Sequence, residues 1–377
     1  MRLPLLLSGV AALALSAAAP ALAQVAPGAP GDKPTWVNAA KTGAGASYEA
    51  YVDGRYADGG PTGAVSKVWF SIAHGVLTET MYGLIHEAQI RQMRFAVVTE
   101  DGLSVEGTDT THRTEYLHTD GEGRPLSPAY RVITTDKAGR YEIEKRIYTD
   151  PDGQALVVRT TIRALNGDVT PYLLLEPHMA NTGVGDRGDV WNTEASAEGD
   201  LITEAGAALH AAEGDLHLSL ETTKAFAAVS VGFGGVSDGL TDLADGRLDN
   251  LYQTTDDQTG NIMLTGQLPT IRDGETYEQD FVIGFGSNQR LARAAAWKTM
   301  ETGLDEVLAR FNGEGDHVGW EDYLASLDQL PRLAEQATDG GRLAYASALM
   351  LKVLEDRTHA GALIASLSNP WGDTVDA

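Results

Sequence analysis

The stretch "YRVITTDKAGRYEIEKRIYTDPDGQALVVRTTIRAL" (residues 130–165) decides the fold class, because it contains three strand-like segments separated by two turn signals. The first signal is Asp-Lys-Ala-Gly at residues 136–139. The second runs from Asp150 to Gly153 and contains a proline that fixes φ and a glycine that we expect at positive φ. In the third segment, every second side chain from Leu156 onward falls on one face. The stretch therefore predicts consecutive antiparallel strands.

Similar segments continue on both sides of this stretch. Turn residues separate "KVWFSIA", "QMRFAVVTE", "YLLLEPHM", "DLHLSLETT", "AFAAVSVGF", "NIMLTGQL" and "YEQDFVIGFG". Because no helical pattern lies between these segments, parallel strand–helix–strand units are not favoured. We predict a mainly β chain, with an antiparallel β-sandwich over residues 35–286 that folds as a separate body.

The periodicity changes after Gly286, where apolar residues recur at helical spacing. We predict a helical linker over residues 287–337 and the start of another domain over residues 338–377. In the helix of this last part, the residues expected to face inward are Leu343, Ala346, Ser347, Met350, Val353 and Leu354. Nothing in the remaining sequence is expected to cover the apolar faces of these helices.

The first 23 residues have the pattern of a cleaved signal peptide: a basic start, an apolar middle and an A-x-A signal that ends at Ala23. We therefore expect an exported protein, periplasmic or secreted, that begins at Gln24. Residues 24–34 are expected to form a disordered leader. The apolar run is too short for a comfortable membrane span, and no second run of about 18 apolar residues follows it.

Composition excludes several classes of partner. The formal net charge of −25 disfavours nucleic acid and anionic membranes, whereas neutral ligands such as sugars are compatible with it. The chain has no cysteine, so it has neither a disulfide framework nor a lipid-modified N-terminal cysteine. A chain this long can instead be stabilised by its hydrophobic core. No cofactor is required by any motif.

The segment "LLLEPHMANTG" (residues 173–183) contains the best internal candidates for chemistry. Glu176 and His178 are two residues apart and would share one face of a strand, where a buried acid and an imidazole can act as an acid–base pair. The alternative is a hydrogen-bonded pair that supports the loop around Asn181. Calcium is also possible, because Asn181, Asp186 and Asp189 could supply oxygen ligands, although their spacing is not that of an EF-hand.

Two glycine motifs do not predict sites. "GVGDRG" (residues 183–188) satisfies G-x-G-x-x-G, but no helix pattern follows it to hold a pyrophosphate. "GVSDG" (residues 235–239) satisfies G-x-S-x-G, but a nucleophile elbow needs a strand-to-helix turn in a parallel sheet. Both are interpreted as loops of the β-sandwich.

Several stretches together resemble a known family. "VWFSIAHGVLTETMYGLIHEAQIRQMRFAVV" (68–98), "EPHMANTG" (176–183), "VGFGGVSDGLTDL" (231–243) and "FVIGFG" (281–286) resemble the N-terminal domain of bacterial glucoamylases and glucodextranases. "ASALMLKVLEDRTHAGALIASLSNPWGD" (346–373) resembles the opening of the catalytic domain in the same family, glycoside hydrolase family 15. The resemblance implies a galactose-mutarotase-like β-supersandwich, a helical linker and an (α/α)6 barrel. The implied activity is the inverting release of glucose from non-reducing ends of α-glucans.

The resemblance also assigns the sites. It implies that Ser366 and Trp371 belong to the glucose pocket, and that the two catalytic carboxylates follow later in the family's sequence. An inverting glycosidase needs an acid and a water-activating base about 6.5–9.5 Å apart. Because no residue here matches either one, we expect a front portion that is inactive alone. It could be a truncated gene product, a fragment from a frameshift, or one half that works with a downstream barrel polypeptide.

Two alternatives remain open at the level of sequence. The chain could be a stand-alone carbohydrate-binding or structural module, with Trp36 and Trp191 as candidates for stacking on sugar rings, although most tryptophans of a sandwich are in the core. It could also be an aldose-epimerase-like enzyme that uses Glu176 and His178.

Overall fold

The computed structural model describes residues 23–36, 40–52, 55–56, 65–191 and 208–367. Most of the described strands belong to two eight-stranded sheets, which we call sheet I and sheet II. Sheet I has the order β1 (Gly43–Ala46), β4 (Val68–Ala73), β5 (Val76–Tyr82), β6 (Ala88–Thr99), β12 (Thr170–Pro177), β17 (Ile262–Gln267) and β16 (Ala228–Phe233), with β7 (Gly102–Val105) beside β6. Sheet II has the order β13 (Arg187–Trp191), β14 (Ala208–Glu213), β15 (Leu216–Thr222), β18 (Thr276–Gly286), β11 (Ala155–Ala164), β10 (Tyr141–Thr149), β9 (Tyr130–Asp136) and β8 (Thr110–Tyr116). A two-stranded ribbon contains β2 (Tyr51–Val52) and β3 (Arg55–Tyr56).

The pairings within sheets I and II are antiparallel among the described strands, which confirms the predicted mainly β, antiparallel sandwich. The stretch 130–165 forms β9, β10 and β11, which pair in chain order. Gly139 has a φ of +76°, as its turn requires. The expectation for Gly153 is wrong, because its φ is not in the left-handed region. A Cβ there would instead lie 2.9 Å from the Asp150 carboxylate, so a close approach favours glycine.

The main core lies between the two sheets. On β11, Leu156, Val158 and Ile162 point into it, while Val157 points to the opposite face. Burial on alternate positions is the usual consequence of the two-residue period of a strand. Fully buried aromatic residues, including Phe70, Phe95, Tyr130, Tyr141, Phe233, Phe281 and Phe285, contribute to this core.

An ion pair is buried at one end of this core. The Lys145 ammonium group on β10 contacts the Glu106 carboxylate and donates a hydrogen bond to the Gly75 carbonyl oxygen at 2.8 Å. Glu106 also accepts hydrogen bonds from the Phe95 amide at 3.1 Å and the Thr134 hydroxyl at 2.7 Å. Both charged side chains are at most 2% exposed. Burial lowers the pKa of Lys145, although Glu106 opposes that shift.

A second core lies against the helices and contains residues from the opposite face of sheet II and from β1, β4 and β5 of sheet I. Besides the short α1 (Gly239–Asp242), the described α-helices are α2 (Gln289–Thr302), α3 (Leu304–Asn312), α4 (Trp320–Ala325), α5 (Leu330–Gln336) and α6 (Arg342–Val353). Trp320 is fully buried in this core, and its indole nitrogen donates a hydrogen bond to the Ala46 carbonyl oxygen of β1 at 3.0 Å. Tyr148 of β10 and Val282 of β18 pack in the same cluster.

The helices therefore have partners, and two expectations about them are wrong. Their apolar faces are covered by the sandwich, contrary to the expectation that nothing covers them. The strands up to Gly286 also share a core of their own between the two sheets, and their folding as a separate body stays a prediction. In α6 the buried side chains are Leu349 and Val353, whereas Leu343 is 71% exposed. The covered face is set by what packs against the helix, which the apolar periodicity of its own sequence does not specify.

The expected disordered leader over residues 24–34 is also wrong. Val25 forms a parallel bridge with Thr254, and the amide of the fully buried Ala26 donates a hydrogen bond to the Thr254 carbonyl oxygen at 2.8 Å. Further along, the Asp32 amide donates to the Gly234 carbonyl oxygen at 2.8 Å. Backbone hydrogen bonds and a buried side chain order this segment.

The predicted signal peptide lies outside the described residues except for its last residue, Ala23. Within the described residues, no helix combines the length and apolar character that crossing a membrane requires. The predicted boundaries at residues 286 and 337 stay predictions. The last strand ends at Gly286 and α2 begins at Gln289, but the helices and sheet II share one core.

Candidate functional site

A polar cavity of about 300 Å³ lies on the outer face of sheet I, and we call it the outer pocket. Strand β12 leads into it: Leu173 and Leu175 point into the main core, whereas Leu174 lies on the outer face and Glu176 lines the pocket. Four other parts of the chain complete its wall. The full lining is Asp32, Lys33, Thr35, Arg91, Arg94, Glu176, Gly234, Gly235, Asp238, Leu240, Thr241, Asn261 and Met263.

Glu176 is held in the pocket wall by two arginines. Its carboxylate pairs with Arg91 and, at 3.2 Å, with Arg94, and it accepts a hydrogen bond from the Gln92 amide group at 2.8 Å. Burial raises the pKa of Glu176, but the two guanidinium groups and the Gln92 hydrogen bond outweigh it and lower the pKa below its ordinary value. Glu176 is therefore a fixed carboxylate that accepts hydrogen bonds.

His178 lies beyond the end of β12, where the chain turns away from the strand. Its ring is fully buried and contacts the Trp36 ring edge-on, with centroids 4.9 Å apart. Burial lowers the pKa of His178 to about 4, and nearby Arg91 acts in the same direction. A Cβ on Gly183, whose φ is +64°, would lie 2.1 Å from this ring. His178 is thus a neutral, tightly packed imidazole.

These two residues do not have the geometry of an acid–base pair. In the described part of the chain, no hydrogen bond joins Glu176 to His178, and His178 is absent from the lining of the outer pocket. Glu176 stays ionised beside two arginines, so it does not hold a proton to donate near neutral pH. The expectation that both side chains share a strand face fails because β12 ends at Pro177.

Asn181 supports the loop through its own side chain, whereas the alternative interpretation had assigned this role to a hydrogen-bonded Glu176–His178 pair. Its φ is +67°, and its side-chain oxygen accepts a hydrogen bond from the Ala88 amide at 2.7 Å. Its side-chain nitrogen donates to the His86 carbonyl oxygen at 3.0 Å. The Asn181 side-chain amide thus connects the turn after β12 to the start of β6 by hydrogen bonds.

The three candidate calcium ligands do not point to one place. Asn181 contacts the start of β6, as described above. Asp186 is fully buried, accepts a hydrogen bond from the Met179 amide at 3.2 Å, and has a pKa raised by burial and by the neighbouring Glu213. Asp189 accepts a hydrogen bond from the Thr254 hydroxyl at 2.6 Å. The described residues contain no group of three or more His, Asp or Glu side chains arranged for a metal.

The expected glucose-pocket residues lie near the C-terminal limit of the described chain. Ser366 is half-buried, and Trp371 lies outside the described residues. The segment before Ser366 is attached to the sandwich: the buried Arg357 donates to the Ser47 carbonyl oxygen at 3.1 Å, and the Thr358 hydroxyl donates to the Gly83 carbonyl oxygen at 2.7 Å. Strands of the sandwich therefore position this segment.

The remaining motifs and aromatic candidates also have structural explanations. Ser237 of the G-x-S-x-G match is nearly buried and accepts a hydrogen bond from the Phe233 amide at 2.9 Å. Asp238 caps the short helix α1, which sequence had interpreted as a loop. Trp36 is buried rather than exposed for stacking, and the Trp191 side chain lies outside the described residues.

The sequence profile of the family described as "Glucodextranase, domain N" matches residues 26–325, which is most of the chain. The chain belongs to this family. The resemblance stated from sequence is therefore confirmed. The matched residues 26–325 include both sheets and α1 to α4.

Two relatives of this glucodextranase N domain are glucoamylases. The glucoamylase of Clostridium sp. (strain G0005) is 30% identical over 350 residues, which are 91% of this chain and 43% of the relative. A bacterial glucoamylase crystallised in complex with acarbose is 27% identical, with a TM-score of 0.75, over 93% of this chain and 46% of its own. The chain spans less than half the length of either relative.

Sequence reasoning about this glucodextranase N domain missed Arg91 and Arg94. Both arginines are in β6, which pairs with β12, and the register between these strands shifts after Glu176. The available signal was a strand-like segment, "QIRQMRF", with two arginines among apolar residues. A buried arginine needs an acidic partner. The two arginines of this segment and the acid in "LLLEP" could therefore have been recognised as partners from the sequence.

Replacing His178 with phenylalanine should remove part of the pH dependence of stability of this N domain. The folded pKa of about 4 lies below the ordinary value of 6.5, so the unfolded chain binds the extra proton first. In the wild type this residue should lower the free energy of unfolding as pH falls from 6.5 to 4, by about 1.4 kcal/mol per unit. Urea unfolding at pH 7, 6 and 5 measures the difference between the two proteins.

The matched control is His86→Gln, because His86 is exposed whereas His178 is fully buried. This variant should keep the wild-type pH dependence. An unchanged slope in the His178→Phe protein would show that His178 is protonated in the folded chain, contrary to its burial.

Proposed function

We propose that this chain is the N-terminal portion of an exported, exo-acting glucan α-glucosidase of the glucoamylase or glucodextranase type. The whole enzyme would release glucose with inversion from the non-reducing ends of α-glucans. The observation that carries this proposal is the match to a glucoamylase over 91% of the chain, at 30% identity, together with the match of its N-terminal domain profile. In this proposal the protein is periplasmic or secreted after cleavage at Ala23, and no cofactor takes part.

In the proposed enzyme, this portion supports the catalytic barrel and does not carry out hydrolysis. Ser366 and Trp371 are proposed to contact the glucose unit, whereas the acid and the base belong to the barrel. The acids near Ser366 have structural partners: Asp356 accepts hydrogen bonds from the Ile85 and His359 amides, and Glu355 pairs with Lys352. The expected partners are an α-glucan and the barrel polypeptide.

A fusion protein tests the proposal. Residues 24–367 are joined to the C-terminal part of the Clostridium glucoamylase, the part that lies beyond the matched region. The fusion should release glucose from maltotetraose, and proton NMR should show the β-anomer first, as inversion requires. Residues 24–377 alone should release glucose at the background rate, because loss of a general acid or base costs about 10²–10⁴ in rate for each group.

The control is the unfused C-terminal part, produced and assayed in the same way. A folded fusion without activity, beside an active native glucoamylase, would count against the proposal. Glucose release by residues 24–377 alone would place the catalytic groups in the described chain, and replacing Glu176 with alanine would then show whether the outer pocket is their site.

A further inference from the structure

We propose that the outer pocket is a binding site for a neutral saccharide, and that it holds one or two sugar units without cleaving them. The class of ligand rests on the proposed function, since α-glucans are the saccharides that such an enzyme meets. The site itself rests on the geometry of sheet I. Its lining contains no residue of the segment around Ser366. It does contain Glu176, the acid of the acid–base interpretation.

The charges of the pocket favour an uncharged ligand. Its charged side chains balance by sign, with Lys33, Arg91 and Arg94 opposing Asp32, Glu176 and Asp238. An anionic ligand would have to compete with Glu176 for Arg91 and Arg94, and a cation would meet the same arginines. A ligand that is rich in both donors and acceptors but has no net charge avoids this competition, and a sugar has this character at each hydroxyl group.

The polar groups of the pocket are held in position before a ligand arrives, which reduces the entropy lost on binding. Arg91 donates to the Thr35 carbonyl oxygen at 2.7 Å as well as to Glu176. Asp238 accepts hydrogen bonds from the Gly235 amide at 2.6 Å and the Thr241 amide at 3.0 Å. The wall thus joins the N-terminal segment, β6 and the loop after β16 in one fixed arrangement.

The pocket also has an apolar part and a limited size. Leu240 and Met263 line it, and both belong to the apolar cluster on the outer face of sheet I. They offer a surface to the C–H groups of a sugar ring. A volume of about 300 Å³ lies at the lower end of the range for small-molecule sites, so one or two sugar units fit better than a long chain.

The site should bind without catalysing a reaction. Glu176 is ionised and paired on both sides, and His178 is buried away from the pocket. Neither group can move a proton at a bound sugar. Retention of a glucan end near the enzyme is the function that this arrangement allows.

The experiment measures binding of maltose, isomaltose and inorganic phosphate to residues 24–377 by isothermal titration calorimetry. Maltose or isomaltose should bind, and phosphate should not. Lys33→Met should weaken sugar binding about tenfold, because an exposed lysine that donates to a ligand is lost without loss of folding. Leu240→Trp, which fills the cavity, should abolish binding. Lys298→Met, an exposed lysine on α2, should leave affinity unchanged.

Three results would overturn the inference: no binding of either sugar by the folded protein, a preference for phosphate, or sugar binding that both pocket variants leave unchanged. The third result would place the sugar elsewhere, for example near Ser366. Circular dichroism of each variant verifies folding. Because this assay uses the chain without a barrel, its failure leaves the fusion experiment valid, and an inactive fusion leaves the binding result valid.

Discussion

Replacing Lys145 with methionine is expected to lower the free energy of unfolding by about 3–5 kcal/mol. The substitution leaves the Glu106 carboxylate in the core, where it keeps hydrogen bonds from the Phe95 amide and the Thr134 hydroxyl but loses its counter-charge. Its side chain is fully buried, so water cannot compensate. Urea unfolding at pH 7, followed by tryptophan fluorescence, measures the loss.

The double variant Lys145→Met with Glu106→Gln separates the two possible causes. If the uncompensated charge is responsible, removing both charges should restore much of the stability that the single substitution loses. Lys298→Met, which changes an exposed lysine in the same way, should alter stability by no more than about 0.5 kcal/mol. If the double variant is as unstable as Lys145→Met, the loss of stability comes mainly from altered packing or from the lost hydrogen bond to Gly75.

Replacing Trp320 with alanine is expected to destabilise the whole chain by about 3–5 kcal/mol, in one cooperative transition. Trp320 joins the helices to the sandwich, since its ring lies among Phe311, Tyr323 and Tyr48 and its nitrogen donates to Ala46. The substitution leaves a large cavity between these parts. Calorimetry should show a single transition at a lower temperature.

Leu343→Ala is the matched control, because sequence placed Leu343 inward and the structure exposes it. This variant should change stability by about 0.5 kcal/mol or less. If Trp320→Ala instead left the unfolding of the sandwich unchanged and melted the helices in a separate step, the two cores would be independent.

The strands were predictable because their signals are local. In β9, β10 and β11 the two-residue period and the turn residues lie within a few positions of one another, and antiparallel pairing follows from short turns. The buried face of α6 was not predictable in this way. Leu343 and Leu349 are equally apolar, and contact with β1 and its neighbours, distant in sequence, decides which one is covered.

The same distinction applies to the candidate site. Glu176 was identified because an acid in an apolar strand is visible locally, but its partners are 82 and 85 residues away in sequence. The calcium interpretation, which stays a prediction, has the opposite difficulty. Asn181, Asp186 and Asp189 are close in sequence, but the turn after β12 and the start of β13 direct their side chains to different neighbours.

The docking of the N-terminal segment has a consequence for the order of folding. About 230 residues separate Val25 from its bridge partner Thr254, so Val25 is synthesised long before its partner is available. At 5–20 residues per second, that delay is roughly 10–45 s. Contacts of such long sequence separation also form slowly. Residues 24–36 should therefore be among the last parts of the sandwich to dock.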